Sequence, residues 1–592
     1  MKSKYSMLLK VLDRLNLEAP ASYKTYHPDD SDVAGLDKAR SLSFIHLFLK
    51  VKFGITDFLD RHKLITDGTQ DGGLDAYFID HEQKKLYLIQ AKFRNNSQNF
   101  DSKSMSTDDL IKMEVSNLIK GVKEDSNGVQ FNAKILAFQS ELQRIRDIAR
   151  YDYQVILLGN LYKLNDSQIR KLIDNAEYQI FDSEKTYNEL LFPLATSTHY
   201  DPNEIIIKLL LSNKEHPRLK QLIETEYGNY NVTVVFVPII EIAKVMSQYK
   251  NSILKYNPRN YLQLQKKSVN EKIKSTIIDQ DKNSFALLNN GITLISENLN
   301  FSDSTGKQNE GQIILTKPQI LNGGQTAFTI SKIYEESLGK SKNPLIGKEV
   351  LLKVITPIES ENKIDPNFIE LISNATNQQN EVSEGDRRSN HPIQIELQSR
   401  IFETFGYFYE RKKGEFQEGY QSKFIDGQFI INRFDFLKAY WAYKGEPAAA
   451  RRTSEENIFQ EDIFYRILSD TNSFKEMFFS YLLFEKLINE EKKYQKKSDS
   501  ISEVGYGLIY GKWAVIASIG ILKLQIPIEL EDIVKLVELH TVHRLRNWKD
   551  FDEFISKKRK GTKYFPKTGS PNYELFYKIN FLDEDIREYF LK

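Results

Sequence analysis

The stretch "DGGLDAYFIDHEQKKLYLIQAKFRN", residues 71–95, decides how the first third of the chain is read. Its apolar runs Leu74–Ile79 and Leu86–Phe93 flank the polar connection His81–Lys85, the pattern of two antiparallel strands joined by a turn. A turn centred between Glu82 and Gln83 sets Asp75 opposite Gln90. Side chains alternate across a strand, so Lys92 shares the face of Gln90. Directly opposed side chains on one face lie roughly 5 Å apart, which brings an acid, an amide and an amine together. Ala76, Phe78, Tyr87, Ile89, Ala91 and Phe93 form the other face, an apolar set suited to packing on a helix. The hairpin is therefore expected to be buried on both sides.

Buried polar groups cost free energy unless they are partnered. Two readings of the trio stand open. One is a structural ion pair between Asp75 and Lys92 with Gln90 hydrogen-bonded beside it. The other is a site for phosphodiester chemistry. A hard cation takes carboxylate and carbonyl oxygens and activates water, and a lysine orients that water or offsets phosphate charge.

Gly72, Gly73, Leu74 and Asp75, followed by Gln90, Ala91 and Lys92, resemble the core of the PD-(D/E)xK nuclease superfamily. The similarity is to the Mrr-like variant, in which Gln replaces the second acid. The resemblance implies a catalytic set of Asp75, Gln90 and Lys92, with Asp75 and the Gln90 amide oxygen on Mg2+ or Mn2+ and Lys92 positioning the attacking water. An amide is a weaker cation ligand than a carboxylate, so such sites recruit another acid, often a Glu of the preceding helix. That helix, "DKARSLSFIHLFLKVKFG" at 37–54, offers Asp37 and no Glu. Asp67 and Asp71 in "ITDGTQDGG" are the other candidate metal ligands, and turn formation beside Gly68 and Gly72 is the competing role for both.

The chain has 592 residues, enough for two or three cores. With 40% hydrophobic and 12% aromatic residues it can fill them. A formal net charge of +1 means that affinity for nucleic acid must come from local patches. The absence of cysteine excludes disulfides, thiolate zinc sites and a cysteine nucleophile. The opening "MKSKYSMLLKVLDRLNLEAP" reads as an amphipathic helix, its apolar residues interrupted by charges. No run approaches the roughly 20 apolar residues of a membrane span, so a cytoplasmic protein without a membrane partner is expected.

Three regions follow from the patterning, all within an α/β class. Residues 1–195 alternate helices near 4–16 and 34–52 with strands near 74–79, 86–93 and 153–160, and place a helix on "STDDLIKMEVSNLIKGV". This suits a nuclease-like mixed sheet flanked by helices. Residues 196–430 begin with the β-rich "EIIIKLLLS" and "YNVTVVFVP", the latter leading into the helix "IIEIAKVMSQY". Residues 431–592 show apolar recurrences at three and four, the mark of a helical C-terminal region.

Five polar stretches punctuate the middle: "YNPRNY" (256–261), "LLNNGIT" (287–293), "LNGGQT" (321–326), "ATNQQN" (375–380) and "YERKKGEF" (409–416). Singly they read as tight turns, a helix start and a charge cluster. In order they resemble the signature of the abortive-infection phage-resistance family, AIPR. The matching residues are Asn257 and Arg259; Asn289, Asn290 and Gly291; Asn322 to Thr326; and Thr376, Asn377, Gln379 and Asn380. The resemblance covers about 230–430 and implies bacterial antiphage defence. Asn and Gln amides read base edges, and backbone N–H groups at the "NGGQT" helix start accept anions. Asn257, Arg259, Asn289, Asn290, Asn322, Gln325, Asn377, Arg411 and Lys412 are thus the candidate nucleic-acid or ligand contacts. A further basic stretch, "HRLRNWKDFDEFISKKRKGTKYF", is either a phosphate track or a solubilising helix end.

The function expected is a metal-dependent endonuclease cleaving DNA in abortive infection. Two alternatives are a non-catalytic sensing protein with a degenerate nuclease fold, and an RNA-cleaving effector. The partner expected is nucleic acid, DNA ahead of RNA, and a homo-oligomer or a defence-system partner is compatible with that.

Overall fold

The computed structural model describes residues 4–81, 83–198, 203–212, 216–257, 269–279, 282–340, 342–358, 365–377, 383–494 and 503–591. The opening hairpin is β1 (Ala76–Asp80) and β2 (Lys85–Ala91), followed by β3 (Asp152–Leu158) and β4 (Glu177–Phe181). They form a four-stranded sheet in the order β1-β2-β3-β4. The β1–β2 pair is antiparallel, and β2–β3 and β3–β4 are parallel. Ala76 pairs with Ile89, so Asp75, one residue before β1, falls opposite Gln90 as the turn spacing requires.

The helix Val33–Phe53 covers one face. Asp32 caps its start by accepting from the Gly35 N–H, and Gly54 ends it in the left-handed region at φ 66°. Phe53 stacks on Phe78 at 4.2 Å between ring centroids and meets Tyr87 at 4.8 Å. The other face carries Tyr77, Leu86 and Leu88 against the helix Ala133–Arg144, with Tyr77 4.5 Å from Phe138. Apolar burial on both faces leaves Asp75, Gln90 and Lys92 grouped at one end of the sheet.

One expected helix is two. The stretch "STDDLIKMEVSNLIKGV" forms Thr107–Ile111 and Val115–Lys120. The break falls where the backbone of Gly73 approaches. A Cβ on Gly73, whose φ is +71°, would lie 2.7 Å from the Met113 nitrogen. The strand β4 is short, and its "EYQIF" carries no clear alternation that the sequence could have shown.

The central region holds two further sheets. Strands β5 (Glu204–Leu210), β6 (Leu219–Thr225), β7 (Gly228–Pro238), β8 (Ile292–Ile295), β9 (Asn298–Ser302), β10 (Glu310–Thr316), β11 (Gln319–Asn322) and β12 (Glu349–Pro357) order as β5-β10-β9 and β11-β8-β12-β7-β6. The helices Ile239–Tyr249 and Gly324–Ser337 join their apolar sides to this core.

A small parallel pair, β13 (Phe408–Glu410) and β14 (Ile430–Asn432), leads into the C-terminal region. There the helices Arg433–Tyr443, Phe474–Tyr494, Lys512–Gly520, Leu530–Arg546 and Trp548–Lys558 share one core. Phe402, Phe408, Phe416, Ile425 and Phe429 pack into the core of the N-terminal sheet, not into that of the central sheets. No described helix is long and apolar enough to cross a membrane.

Candidate metal centre

Asp75 is fixed by its own backbone. Its N–H donates to the Ile89 carbonyl at 2.9 Å, and its carbonyl accepts from Thr66 at 2.9 Å and Asp67 at 3.1 Å. These bonds fold the loop 66–75 back on itself, which sets Asp67 beside Asp75. Asp71 is held in the same loop by the Gly68 N–H at 3.0 Å and the Gly73 N–H at 2.9 Å. Gly72 and Gly73 adopt φ +61° and +71°, and a Cβ on Gly72 would sit 2.8 Å from the Phe131 ring. Both glycines are needed for this conformation and this approach. Asp71 thus does form the turn, and the turn is what delivers its carboxylate.

One carboxylate oxygen from each of Asp67, Asp71 and Asp75 lies within 4.8 Å of the other two. Burial, with the charges of Asp67 and Asp71 adding to it, pushes the Asp75 carboxyl up to about 8, against the Ala91 N–H and Lys92. The Ala91 N–H donates to Asp75 Oδ2 at 2.6 Å. Burial raises Asp71 as well. Crowded carboxylates of this kind favour a bound cation in place of a proton.

Gln90 is buried; its Nε2 donates to the Asp109 carbonyl, and its Oε1 is buried with no hydrogen-bond partner among the described residues. Three clustered carboxylates, with the orphaned amide oxygen of the residue opposite Asp75, make a hard-oxygen donor set, and it fits Mg2+ or Mn2+. Lys92 does not pair with Asp75. Its Nζ donates to Asp109 Oδ1 at 3.1 Å, which replaces the ion pair considered from the sequence. Asp37 stands outside the carboxylate group, its Oδ2 accepting from Asn95 at 2.8 Å.

Asp109 is the residue that sequence reasoning missed. It closes a capping box with Ser106 at the start of Thr107–Ile111. Burial raises its carboxyl, but the bonds from Ser106 and Lys92 outweigh that and hold it below its ordinary value. The spacing Ser106-x-x-Asp109 signals a helix start, yet nothing in it places that start beside Gln90 and Lys92.

The central amides largely bond within the fold. Asn257 is buried and donates to the Leu321 carbonyl at 3.2 Å. Asn289 donates to Thr326 Oγ1 at 3.2 Å and accepts from the Gly291 N–H at 3.0 Å. Asn322 donates to the Thr376 carbonyl at 2.7 Å. Asn290 is exposed and Gln325 half-buried. Asn377 ends the helix Pro366–Asn377, and Arg259, Gln379 and Asn380 lie outside the described residues. Lys412 is buried, with its ammonium on the carbonyls of Lys255 at 2.7 Å and Asn257 at 2.8 Å. Arg411 pairs with Glu415 at 3.0 Å. Neither cation is presented to a phosphate. In the C-terminal basic stretch, Arg544 donates to the Ser518 carbonyl, and Lys558 and Arg559 pair with Asp585.

The motifs are thus brackets that tie β8, β11 and two helices together, and this bracketed region coincides with a family match. A family model described as AIPR protein matches residues 254–562, more than half of the chain. The chain belongs to the AIPR family. The AIPR match begins beside Asn257 and runs well past 430, so the helical C-terminal region belongs to it as much as the central motifs do. AIPR membership assigns the protein to abortive-infection defence against phage. No curated protein and no solved structure matches. The sheet carrying Asp75 lies outside the AIPR match.

Proposed function

We propose that this AIPR protein is a divalent-metal-dependent endonuclease that cleaves DNA during abortive infection. The observation that carries the reading is the convergence of the Asp67, Asp71 and Asp75 carboxylates, with buried Gln90, opposite Asp75 in the hairpin register, leaving its Oε1 without a partner among the described residues. These four side chains would hold the cation. Mg2+ or Mn2+, when bound, supplies Lewis acidity toward phosphate and water.

The chain's own groups do the rest. Asp75, held by the Ala91 N–H, gives up its proton as the site fills. Lys92, partly exposed and tethered by Asp109, has room to turn its ammonium toward a phosphate oxygen or an attacking water. Asp109 also holds the Gln90 amide nitrogen through its carbonyl, which leaves Oε1 without a partner among the described residues. The mixed sheet and the GG-hydrophobic-D, QxK resemblance support the same reading.

Incubating purified protein with plasmid, phage genomic DNA and total RNA, with Mg2+, Mn2+ or EDTA, tests activity, substrate and metal together. DNA cleavage that requires metal and falls at least about 100-fold in Lys92→Ala is expected. A folded Lys92→Ala protein that cuts at the wild-type rate refutes the assignment.

A second reading has one observation in its favour. Lys92 is bound to Asp109 and not to the carboxylate group, which suits a module that binds and does not cut. Metal-dependent DNA binding without cleavage would select it.

A further inference from the structure

The strand β6, "LKQLIET", is the outer strand of the five-stranded sheet, and among the described residues it pairs with β7 alone. Six of its seven residues are exposed, and Thr225 is half-buried. It is therefore open on both faces as well as along its free edge. Beside its charged Lys220 and Glu224 it exposes three large apolar side chains: Leu219, Leu222 and Ile223 are 66%, 46% and 42% exposed. Such an edge is a template for another strand.

The sequence of β6 specifies what that strand is. Laid antiparallel against itself about a twofold axis through Leu222, it sets Lys220 opposite Glu224 of the second copy, and Glu224 opposite that copy's Lys220. Leu222 meets Leu222 between the two ion pairs, all on one face. On the other face Leu219 and Ile223 of each copy lie diagonal to one another. Neither Lys220 nor Glu224 has an ion-pair partner among the described residues of its own chain. A parallel arrangement, or a shift by one residue, loses both charge pairs. Each copy offers one such edge, so the pairing closes as an isologous dimer and does not propagate.

We infer that β6 is a homodimerisation edge, with a second copy of this chain adding antiparallel across Leu222 and joining the two five-stranded sheets into one. The inference does not depend on the nuclease reading, since it concerns a different sheet.

Light scattering after size exclusion and sedimentation velocity across a concentration series test it on the full chain. Wild type is expected to dimerise with rising concentration. Lys220→Glu and Glu224→Lys should each weaken the dimer at least about tenfold by setting like charges opposite each other, with the fold of the monomer unchanged by circular dichroism, because both side chains are exposed. Mixing the two variants should restore a heterodimer, because the strand that then carries only acids at these two positions faces one that carries only lysines. Leu222→Asp should abolish dimerisation in every combination. A protein that is monomeric throughout overturns the inference. So does a dimer indifferent to the charge reversals, or a mixture that fails to associate.

Discussion

Lys92 Nζ lies 3.1 Å from Asp109 Oδ1, and the carbonyl of the same Asp109 accepts from the Gln90 amide. One residue of a short helix therefore sets the orientation of two of the three polar groups in the hairpin. Asp109→Asn keeps an acceptor for the Ser106 cap but removes the charge that holds Lys92. Single-turnover cleavage should fall about tenfold, with stability altered by no more than about 1 kcal/mol. Unchanged cleavage would show that Lys92 needs no tether.

The carboxylate group makes a sharp distinction among the candidate acids. Calorimetric titration with Mn2+ should show binding lost in Asp75→Ala and weakened at least about tenfold in Asp67→Ala and Asp71→Ala. Asp37→Ala should bind as wild type does, because its side chain serves Asn95. Loss of binding in Asp37→Ala alone would move the metal to the other end of the preceding helix.

The Asp75 carboxyl, raised to about 8 mainly by burial, gives the metal-free protein a pH signature. Its folded value lies above the unfolded one of 3.8. The contribution is therefore fully present below that value and is lost as pH rises toward and through about 8. Asp75→Asn removes the titration. In EDTA it should stabilise the protein by about 2 kcal/mol near pH 9 and change little near pH 4. Added Mn2+ should raise the wild-type Tm more at the alkaline end and leave Asp75→Asn unmoved. Parallel wild-type and variant melting curves across that range would contradict this.

Gly73 combines φ +71° with backbone atoms 2.7 Å from where a Cβ would stand. Gly73→Ala should cost about 2–3 kcal/mol, read as a lower urea midpoint. Gly128, with φ +76° and nothing within 4 Å, should lose only about 1 kcal/mol on the same change. Equal losses would mean that the close approach to Met113 carries no weight.

Lys412 separates a structural cation from a phosphate contact. Lys412→Ala leaves the carbonyls of Lys255 and Asn257 unpaired and should destabilise by about 2–4 kcal/mol. The salt dependence of any DNA binding should not change. A reduced salt slope in a folded variant would instead place the ammonium on a phosphate.

The hairpin was legible because its information is local. Turn length fixes register, register fixes which faces meet, and the opposition of Asp75 and Gln90 follows from spacing alone. The helices expected at 4–16, 34–52 and on "IIEIAKVMSQY" were legible through their apolar runs, and form at 4–16, 33–53 and 239–249. What could not be read is what chain topology brings together from a distance. Asp109 reaches Gln90 and Lys92 by way of a loop and a short helix. Between Asp67, Asp71 and Asp37 the choice rests on how the loop 66–75 folds back through Asp75 backbone bonds. The placing of the central amides was illegible for the same reason. Asn257, Asn289 and Asn322 look like recognition groups in a linear sequence, and only the fold shows that each has a backbone or hydroxyl partner inside the molecule.

The phenylalanines at 402, 408, 416 and 429 bear on how the protein comes into being. They complete the core beneath the N-terminal sheet, so a nascent chain that has emerged as far as β4 holds every acid of the carboxylate group but lacks part of its hydrophobic floor. The last of that floor, Phe429, lies about 250 residues after β4 in the chain. A fragment ending before Phe402 would carry Asp67, Asp71, Asp75 and Gln90 while lacking part of the apolar packing beneath their sheet.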